Sequence, residues 1–329
     1  MKAVHMLGNS QVEVIEYPVP TPAAEHVLVR VGASGICGGE IKGYRAPDPQ
    51  PMNGGHEVAG TVEDPNGHPQ WDAGDRVGIF TIQGCGYCRW CRQGRDTFCD
   101  QVGVPASTHA EYTISRATGM VKLPEDISFE LGVMLCGDGL GVPYGSAMRA
   151  GVEAGDITCV FGCGPVGLGM VLVQAYLGAK VIAVEPVAHR RDLALKMGAW
   201  RVVDPAAEPN LVGWLKDVTD GVGPDSCFEA VGRQDTLDVA MDVTRPEGTI
   251  IVVGHGPQSL DPQRLIIRRN LAIAGNWVAH PAWFPQMLEM VRCGLDVERL
   301  ITARYALDDA PTAYARLADG LEAKVMLLP

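Results

Sequence analysis

The sequence predicts an α/β fold in two parts, a β-rich N-terminal unit followed by a Rossmann unit with a doubly wound parallel sheet. Three observations carry this. Up to about residue 142, short valine- and isoleucine-rich runs such as 27–31 and 57–62 are broken by Gly, Pro, Asn and Asp, as strands and turns require. From Asp156 onward, apolar strands alternate with helical stretches (ITCVF, PVGLGMVLVQAYLG, KVIAVE, HRRDLALKMG), which implies a parallel sheet covered by helices on both faces. The length, 329 residues, is that of about two domains. The expected boundaries are 1–142 for the β-rich unit, 143–278 for the Rossmann unit and 279–329 for a closing segment. In that segment an amphipathic helix over 283–293, a short strand, a helix from Asp308 and a terminal strand KVMLL return to the first unit.

A hydrophobic content of 47% with 20% charged residues is ordinary for a globular chain and excludes disorder over most of its length. The 27 basic residues against 39 acidic ones leave a net charge of -12, which repels nucleic-acid phosphates and anionic lipid. Neither nucleic acid nor a membrane is an expected partner. The opening MKAVHMLGNSQVEV lacks a continuous apolar core of the kind a secretory leader needs, so a cytoplasmic location is expected. Residues 157–179 carry no charge and are long enough to cross a bilayer, but five glycines, Pro165 and Gln174 argue for a buried strand, turn and helix.

Ten cysteines are many for a reducing compartment, where clustered thiols more often bind metal than form disulfides. Cys85, Cys88, Cys91 and Cys99 stand as C-x2-C-x2-C-x7-C within GCGYCRWCRQGRDTFC. Chance places four cysteines at one such spacing in only about 3 of 10,000 chains of this composition. Four thiolates make a closed tetrahedral zinc site with no position for substrate, hence a structural one. An iron-sulfur cluster is the competing use of the same ligands.

Gly162, Gly164 and Gly167 form G-x-G-x-x-G with Pro165 and Val166 between them. The pattern alone arises roughly 0.6 times by chance in so glycine-rich a chain. Its context is what counts: a strand runs straight into it and a helix leaves from Pro165, so bare backbone amides and a helix N-terminus can hold a pyrophosphate. Glu185 ends the next strand, where an acidic side chain accepts hydrogen bonds from the adenosine ribose and repels a 2'-phosphate. NAD is therefore expected over NADP. Arg190, between His189 and Arg191, points the other way, since an arginine there can meet the extra phosphate.

Cys37, in VGASGICGGE, and His56-Glu57, after a Pro-Met-Asn-Gly-Gly turn, read as neighbouring ligands of a second metal. A catalytic zinc needs about three protein ligands and one open position. With these motifs, and with GGHEVAGTV, HAEYTIS, VIAVEP, FEAVG, GTIIVVG and KVMLL, nearly the whole chain resembles the zinc-containing medium-chain dehydrogenase/reductase family, which includes alcohol, sorbitol and threonine dehydrogenases.

The resemblance implies a GroES-like β-rich catalytic domain joined to the Rossmann domain, with the active site in the cleft between them. It makes Cys37 and His56 zinc ligands and Glu57 an occasional or exchanging one. The third ligand falls in VMLCGDGLGVPYGSA: counting back from Gly155-Asp156 selects Asp138, with Cys136 as the competitor. Family members commonly read C-G-[ST]-D, whereas this chain has Cys37-Gly38-Gly39-Glu40, so Gly39 lacks the hydroxyl that begins proton transfer. Glu40 is expected to accept a hydrogen bond from His56. Lys42 stands where the family often has a relay histidine, and the proton is expected to leave through Glu57, Lys42, water or a substrate hydroxyl. The nicotinamide is expected near Val231, Val253, Gly254, Asn276 and Val278.

The implied activity is a zinc-dependent oxidoreductase that moves a hydride between a secondary alcohol and NAD, with two zinc ions per chain, one catalytic and one structural. Glu57, Lys42, Tyr44 and either His255 or His280 as polar lining favour a polyol, sugar or cyclitol. The partners are a small alcohol or carbonyl substrate and a second copy of the chain, in a homodimer or homotetramer joined along an edge strand at 271–274. Two competing readings are a zinc-free or single-zinc NAD(P)H-dependent carbonyl reductase and a catalytically silent NAD-binding protein.

Overall fold

A computed structural model describes residues 1–49, 54–105 and 107–329, so residues 51–53 of the turn before His56 lie outside the described residues. The chain divides into two compact units, residues 1–141 with 278–329, and residues 142–277. Among the described residues no helix is long and apolar enough to cross a membrane.

The first unit opens with a hairpin, β1 (Lys2–Gly8) and β2 (Gln11–Glu16), followed by the long strand β3 (His26–Ile36). A short helix α1 (Glu40–Arg45) precedes β4 (Glu57–Asp64), β5 (Arg76–Ile79), β6 (Tyr112–Arg116) and β7 (Met120–Lys122). Val27, Val29 and Val31 on β3 and Val58 and Val62 on β4 share one buried face, so the period-2 pattern becomes the core of the sheet. The unit is β-rich, with helices beside its strands. Besides α1 it carries α2 (Phe129–Cys136), whose start is set by Ser128: its side-chain oxygen accepts the amide of Leu131 at 3.1 Å. Helix α2 packs on β3, β4 and β5, with the Phe129 ring against Gly32. Helix α3 (Asp138–Ala150) follows after a single residue.

The second unit is a six-stranded parallel sheet. Its strands and helices alternate as β8 (Ile157–Phe161), α4 (Pro165–Tyr176), β9 (Lys180–Val184), α5 (Ala188–Lys196), β10 (Arg201–Val203), α6 (Leu211–Asp217), β11 (Ser226–Glu229), α7 (Gln234–Val243), β12 (Thr249–Val252) and β13 (Ala272–Gly275). The strand order β10-β9-β8-β11-β12-β13 reverses direction beside β8, the arrangement that opens a crevice at the carboxyl ends of the strands. Strands buried on both faces need no alternation, which is why ITCVF and KVIAV read as continuous apolar runs.

The closing segment comprises α8 (Phe284–Arg292), β14 (Ile301–Ala306), α9 (Ala310–Ala318) and β15 (Lys324–Leu328). Strand β15 pairs antiparallel with β3, setting Val325 opposite Ile36, and completes the seven-stranded sheet of the first unit.

Candidate active site

Cys37 follows the end of β3, His56 and Glu57 lead into β4, and Asp138 starts α3, so three separate turns of the first unit bring their side chains together. One donor atom from each of Cys37, His56, Glu57 and Asp138 lies within 4.8 Å of the others. Cys37 Sγ is 3.8 Å and His56 Nε2 is 3.5 Å from Asp138 Oδ2. Ligands about 2.0–2.3 Å from one zinc ion sit at such separations. The donor set calls for a cation in another way. Asp138 Oδ1 and Glu57 Oε1 are buried without a hydrogen-bond partner among the described residues. Burial opposes a charge on His56, yet the bonds from Asp138 and Cys37 push its pKa up to about 12.

Asp138 thus stands with Cys37 and His56, and Cys136 does not. Cys136 is fully buried at the end of α2, packed against Gly78, and burial pushes its thiol well up. Glu57 is also fully buried, and the partner of its Oε2 is the ammonium of Lys324, itself buried at the start of β15. Burial raises the Glu57 carboxyl, with the Lys324 charge opposing it.

The expected bond from His56 to Glu40 is replaced. Glu40 Oε1 accepts the amide of Cys37 at 2.9 Å, and Oε2 accepts His109 Nε2 at 3.1 Å and the hydroxyl of Tyr314 at 2.7 Å. His109 Nδ1 in turn meets Ser34 Oγ at 2.6 Å. Burial alone would raise the Glu40 carboxyl, but the charge and bond of His109, the charge of His56 and the Tyr314 hydroxyl hold it at about 2. Glu40 therefore fixes the Cys37 turn to His109 and to Tyr314 on α9 rather than orienting His56.

Lys42 is exposed and, with Gly39, Glu40 and His56, lines a cavity of about 430 Å³. Three of the expected polar lining residues are elsewhere. Tyr44 is buried against the Tyr314 ring, with centroids 5.5 Å apart. His280 is buried between Phe98 and Trp283, with Nδ1 3.2 Å from Thr97 Oγ1. His255 is exposed on the second unit.

The four Sγ atoms of Cys85, Cys88, Cys91 and Cys99 also lie within 4.8 Å of one another, with Cys88–Cys91 at 3.5 Å and Cys85–Cys91 at 4.0 Å. A tetrahedral zinc-thiolate site sets its sulfurs about 3.8 Å apart. The backbone amides of Cys85 and Gln101 donate to Cys99 Sγ at 3.4 and 3.3 Å, as suits a charged sulfur. All four positions are filled by protein, so the lobe can brace its loop but not polarise a substrate.

In the second unit a cavity of about 600 Å³ is lined by Gly162, Gly164, Glu185, Arg190 and Val231. Gly162 has φ +89°, a left-handed turn, and a Cβ at Gly167 would run into the Gly162 carbonyl. At Gly164, the N-cap of α4, a Cβ would meet nothing within 4 Å among the described residues, which leaves room for a ligand. Pro165 and Val166 open α4. Glu185 is buried, its Oε2 accepting the amide of Cys163 at 2.7 Å and its Oε1 that of Val187 at 3.0 Å. The carboxylate thus ties the glycine turn to β9, and second lone pairs remain for ribose hydroxyls. Arg191 turns away, to the Glu185 carbonyl and Asp204, whereas Arg190 Nε has no hydrogen-bond partner among the described residues.

Around Val253 and Gly254 the organiser lies in the FEAVG run, whose glutamate had no role assigned from sequence. Glu229, fully buried at the end of β11, accepts the amides of Val231 and Gly232, the hydroxyl of Thr236 and the amide of Gln258. Its carbonyl takes the amides of Val253 and Gly254. Asn276 is buried in the same unit and bonded to Arg149 and the Val142 carbonyl, while Val278 is buried in the first unit.

Residues 23–125 match the family described as alcohol dehydrogenase GroES-like domain, and residues 165–292 the family described as zinc-binding dehydrogenase. A probable zinc-binding alcohol dehydrogenase of Mycobacterium tuberculosis is 31% identical over the whole chain and 89% of its own length. Among solved structures, an alcohol dehydrogenase of Thermus sp. ATN1 superposes with a TM-score of 0.90 at 27% identity, over 100% of this chain and 99% of that one. A putative zinc-binding dehydrogenase of Sinorhizobium meliloti, bound to NADP, superposes at 0.85 with 26% identity, over 100% and 99%.

Proposed function

Because the chain belongs to the zinc-containing medium-chain dehydrogenase/reductase family and is an oxidoreductase of the zinc-type alcohol dehydrogenase kind, we propose that it transfers a hydride between a secondary alcohol and NAD, with a polyol, sugar or cyclitol favoured. The observation that carries this reading is the meeting of Cys37, His56 and Asp138 around buried carboxylate oxygens that lack a partner.

Zinc, when bound, supplies Lewis acidity that makes a hydroxyl easier to deprotonate, and the nicotinamide supplies a hydride acceptor. The chain supplies position and charge. Cys37, His56 and Asp138 hold the metal, while Lys324 holds Glu57 beside it as a paired carboxylate. Glu40 holds the Cys37 turn in place through three donors, so the sulfur is preset rather than recruited. Gly39 offers no hydroxyl to the substrate proton, which leaves to water in the cavity that His56 and Lys42 share. The amides of the glycine turn and the start of α4 receive the pyrophosphate, and Glu185 receives the ribose hydroxyls. The Cys85–Cys88–Cys91–Cys99 lobe holds a second, structural zinc. Strand β13, at the end of its sheet, suits pairing with a second copy in a homo-oligomer.

The test is metal analysis of the full chain together with a screen of alcohols and polyols, read as NADH absorbance with NAD and NADP side by side. Two zinc ions per chain and NAD-linked turnover are expected. A fully zinc-loaded protein that reduces neither cofactor with any compound overturns the proposal.

A further inference from the structure

Three charged side chains line the cavity beside His56, and two of them are already engaged. Glu40 spends its carboxylate inward on Cys37, His109 and Tyr314, and His56 meets Asp138. Lys42 is exposed, and among the described residues it makes no hydrogen bond or ion pair. Lys2, Lys122 and Lys324 each sit on a carboxylate, while Lys180 and Lys216, like Lys42, have none among the described residues; Lys42 differs from those two in lining the cavity beside His56. The space next to this cation is open as well. Among the described residues a Cβ at Gly39 would meet only Cys37 Sγ, at 3.7 Å.

We infer that the substrate carries an anionic group, a phosphate or a carboxylate, which pairs with Lys42 Nζ while its reacting hydroxyl lies at the Cys37–His56–Asp138 cluster. This rests on the proposed function and narrows its substrate class from neutral polyols to phosphorylated polyols or hydroxy acids. The physical basis is selectivity by charge. A surface with a net charge of -12 disfavours anions in general, so a lone ammonium at the site admits them locally. An ammonium binds phosphate or carboxylate as a point charge through charge-assisted hydrogen bonds. A neutral hydroxyl in the same place gains far less. Lys42 here is a positioning and specificity group and takes no proton.

The test uses the zinc-loaded full chain with NAD and a panel of matched alcohols, each as the neutral polyol, its monophosphate and its aldonic acid, for example sorbitol, sorbitol 6-phosphate and gluconate. At least one anionic member should exceed its neutral counterpart in kcat/KM by about tenfold to a hundredfold, mainly through KM. Raising the salt should erode the preference. Whichever anion shows it separates phosphate from carboxylate. Lys42→Met should collapse the anion-to-neutral ratio, and Lys42→Arg should keep most of it. A neutral polyol turned over as well as its anions, or a Lys42→Met variant losing kcat equally on both classes, overturns the inference and leaves the proposed function standing. No turnover with any member overturns the proposed function and the inference with it.

Discussion

The hydroxyl of Tyr314, on α9, donates a 2.7 Å hydrogen bond to Glu40 Oε2, on α1, across 274 residues of sequence. It is one of three donors that hold a buried carboxylate charged next to the Cys37 turn. Tyr314→Phe removes this donor without opening a cavity and should cost about 1–3 kcal/mol. The pH dependence follows from Glu40, whose carboxyl is held at about 2 against an ordinary 4.5. A group lowered on folding contributes stability that is complete above its unfolded value and is lost as pH falls through its folded one. Urea unfolding at a series of pH values should show this loss below about pH 4.5 in both proteins, smaller and complete at higher pH in Tyr314→Phe, whose folded-state value lies nearer the unfolded one. Superimposable curves for the two proteins would remove Tyr314 from the network.

Cys37→Ser should leave circular dichroism unchanged, lower zinc from two ions per chain to one, and reduce kcat/KM by about 10²–10⁴-fold, since several kcal/mol of electrophilic stabilisation is lost. Retained zinc and retained turnover would place the metal elsewhere.

Cys88→Ser should behave oppositely. The lobe has no open position, so its loss should cost stability on the order of 4 kcal/mol, read as a lower Tm, with little change in KM. A large fall in kcat at temperatures where the variant is fully folded would contradict a bracing role.

The proposed preference for NAD rests on Glu185 against Arg190 in the same cavity. Glu185→Ala should weaken NAD and shift the kcat/KM ratio towards NADP by about tenfold or more, because a carboxylate that accepts from the ribose is gone. Arg190→Ala should lower activity with NADP alone. Should NADP outperform NAD in the unaltered protein, the weight assigned to Glu185 is wrong.

Glu229→Gln is a near-isosteric change with a large expected effect. Every group facing this carboxylate is a donor, so a glutamine must present its own NH₂ to an N–H or O–H. The expected loss is about 1–3 kcal/mol, together with weaker NADH binding measured by fluorescence titration. Unchanged NADH affinity would show that the loops around Gly232 and Gly254 do not shape the cofactor site.

What the sequence made legible was local. The spacing of Cys85 to Cys99, the turn through Gly162 and the strand ending in Glu185 each occupy a single stretch, and the spacing alone brings their residues near one another. Asp138 and Cys136, two residues apart, are equally able to ligate zinc and were separated only by the interval to Gly155-Asp156 that the resemblance supplies; the turn from α2 into α3 is what sets Asp138 with Cys37. Glu40 shows the limit from the other side. Its partners His109 and Tyr314 are 69 and 274 residues away, and neither carries a local pattern that names a carboxylate. Lys324 opens KVMLL, where a charge at the start of an apolar strand was the one available signal. Helix α2 was hidden for a different reason: FELGVMLC has little amphipathic contrast because both of its faces are covered.

Strand β15 and helix α9 bear on biosynthesis. Both the counter-charge of Glu57 and the third donor to Glu40 are translated within the final stretch of the chain, after the Rossmann unit has already emerged from the ribosome. Glu57 on β4 must wait for 267 later residues before it meets its counter-charge. A polypeptide that stops short of residue 324 therefore carries Glu57 without its counter-charge, and the cluster around Cys37, His56 and Asp138 is complete only once Lys324 has docked beside Glu57.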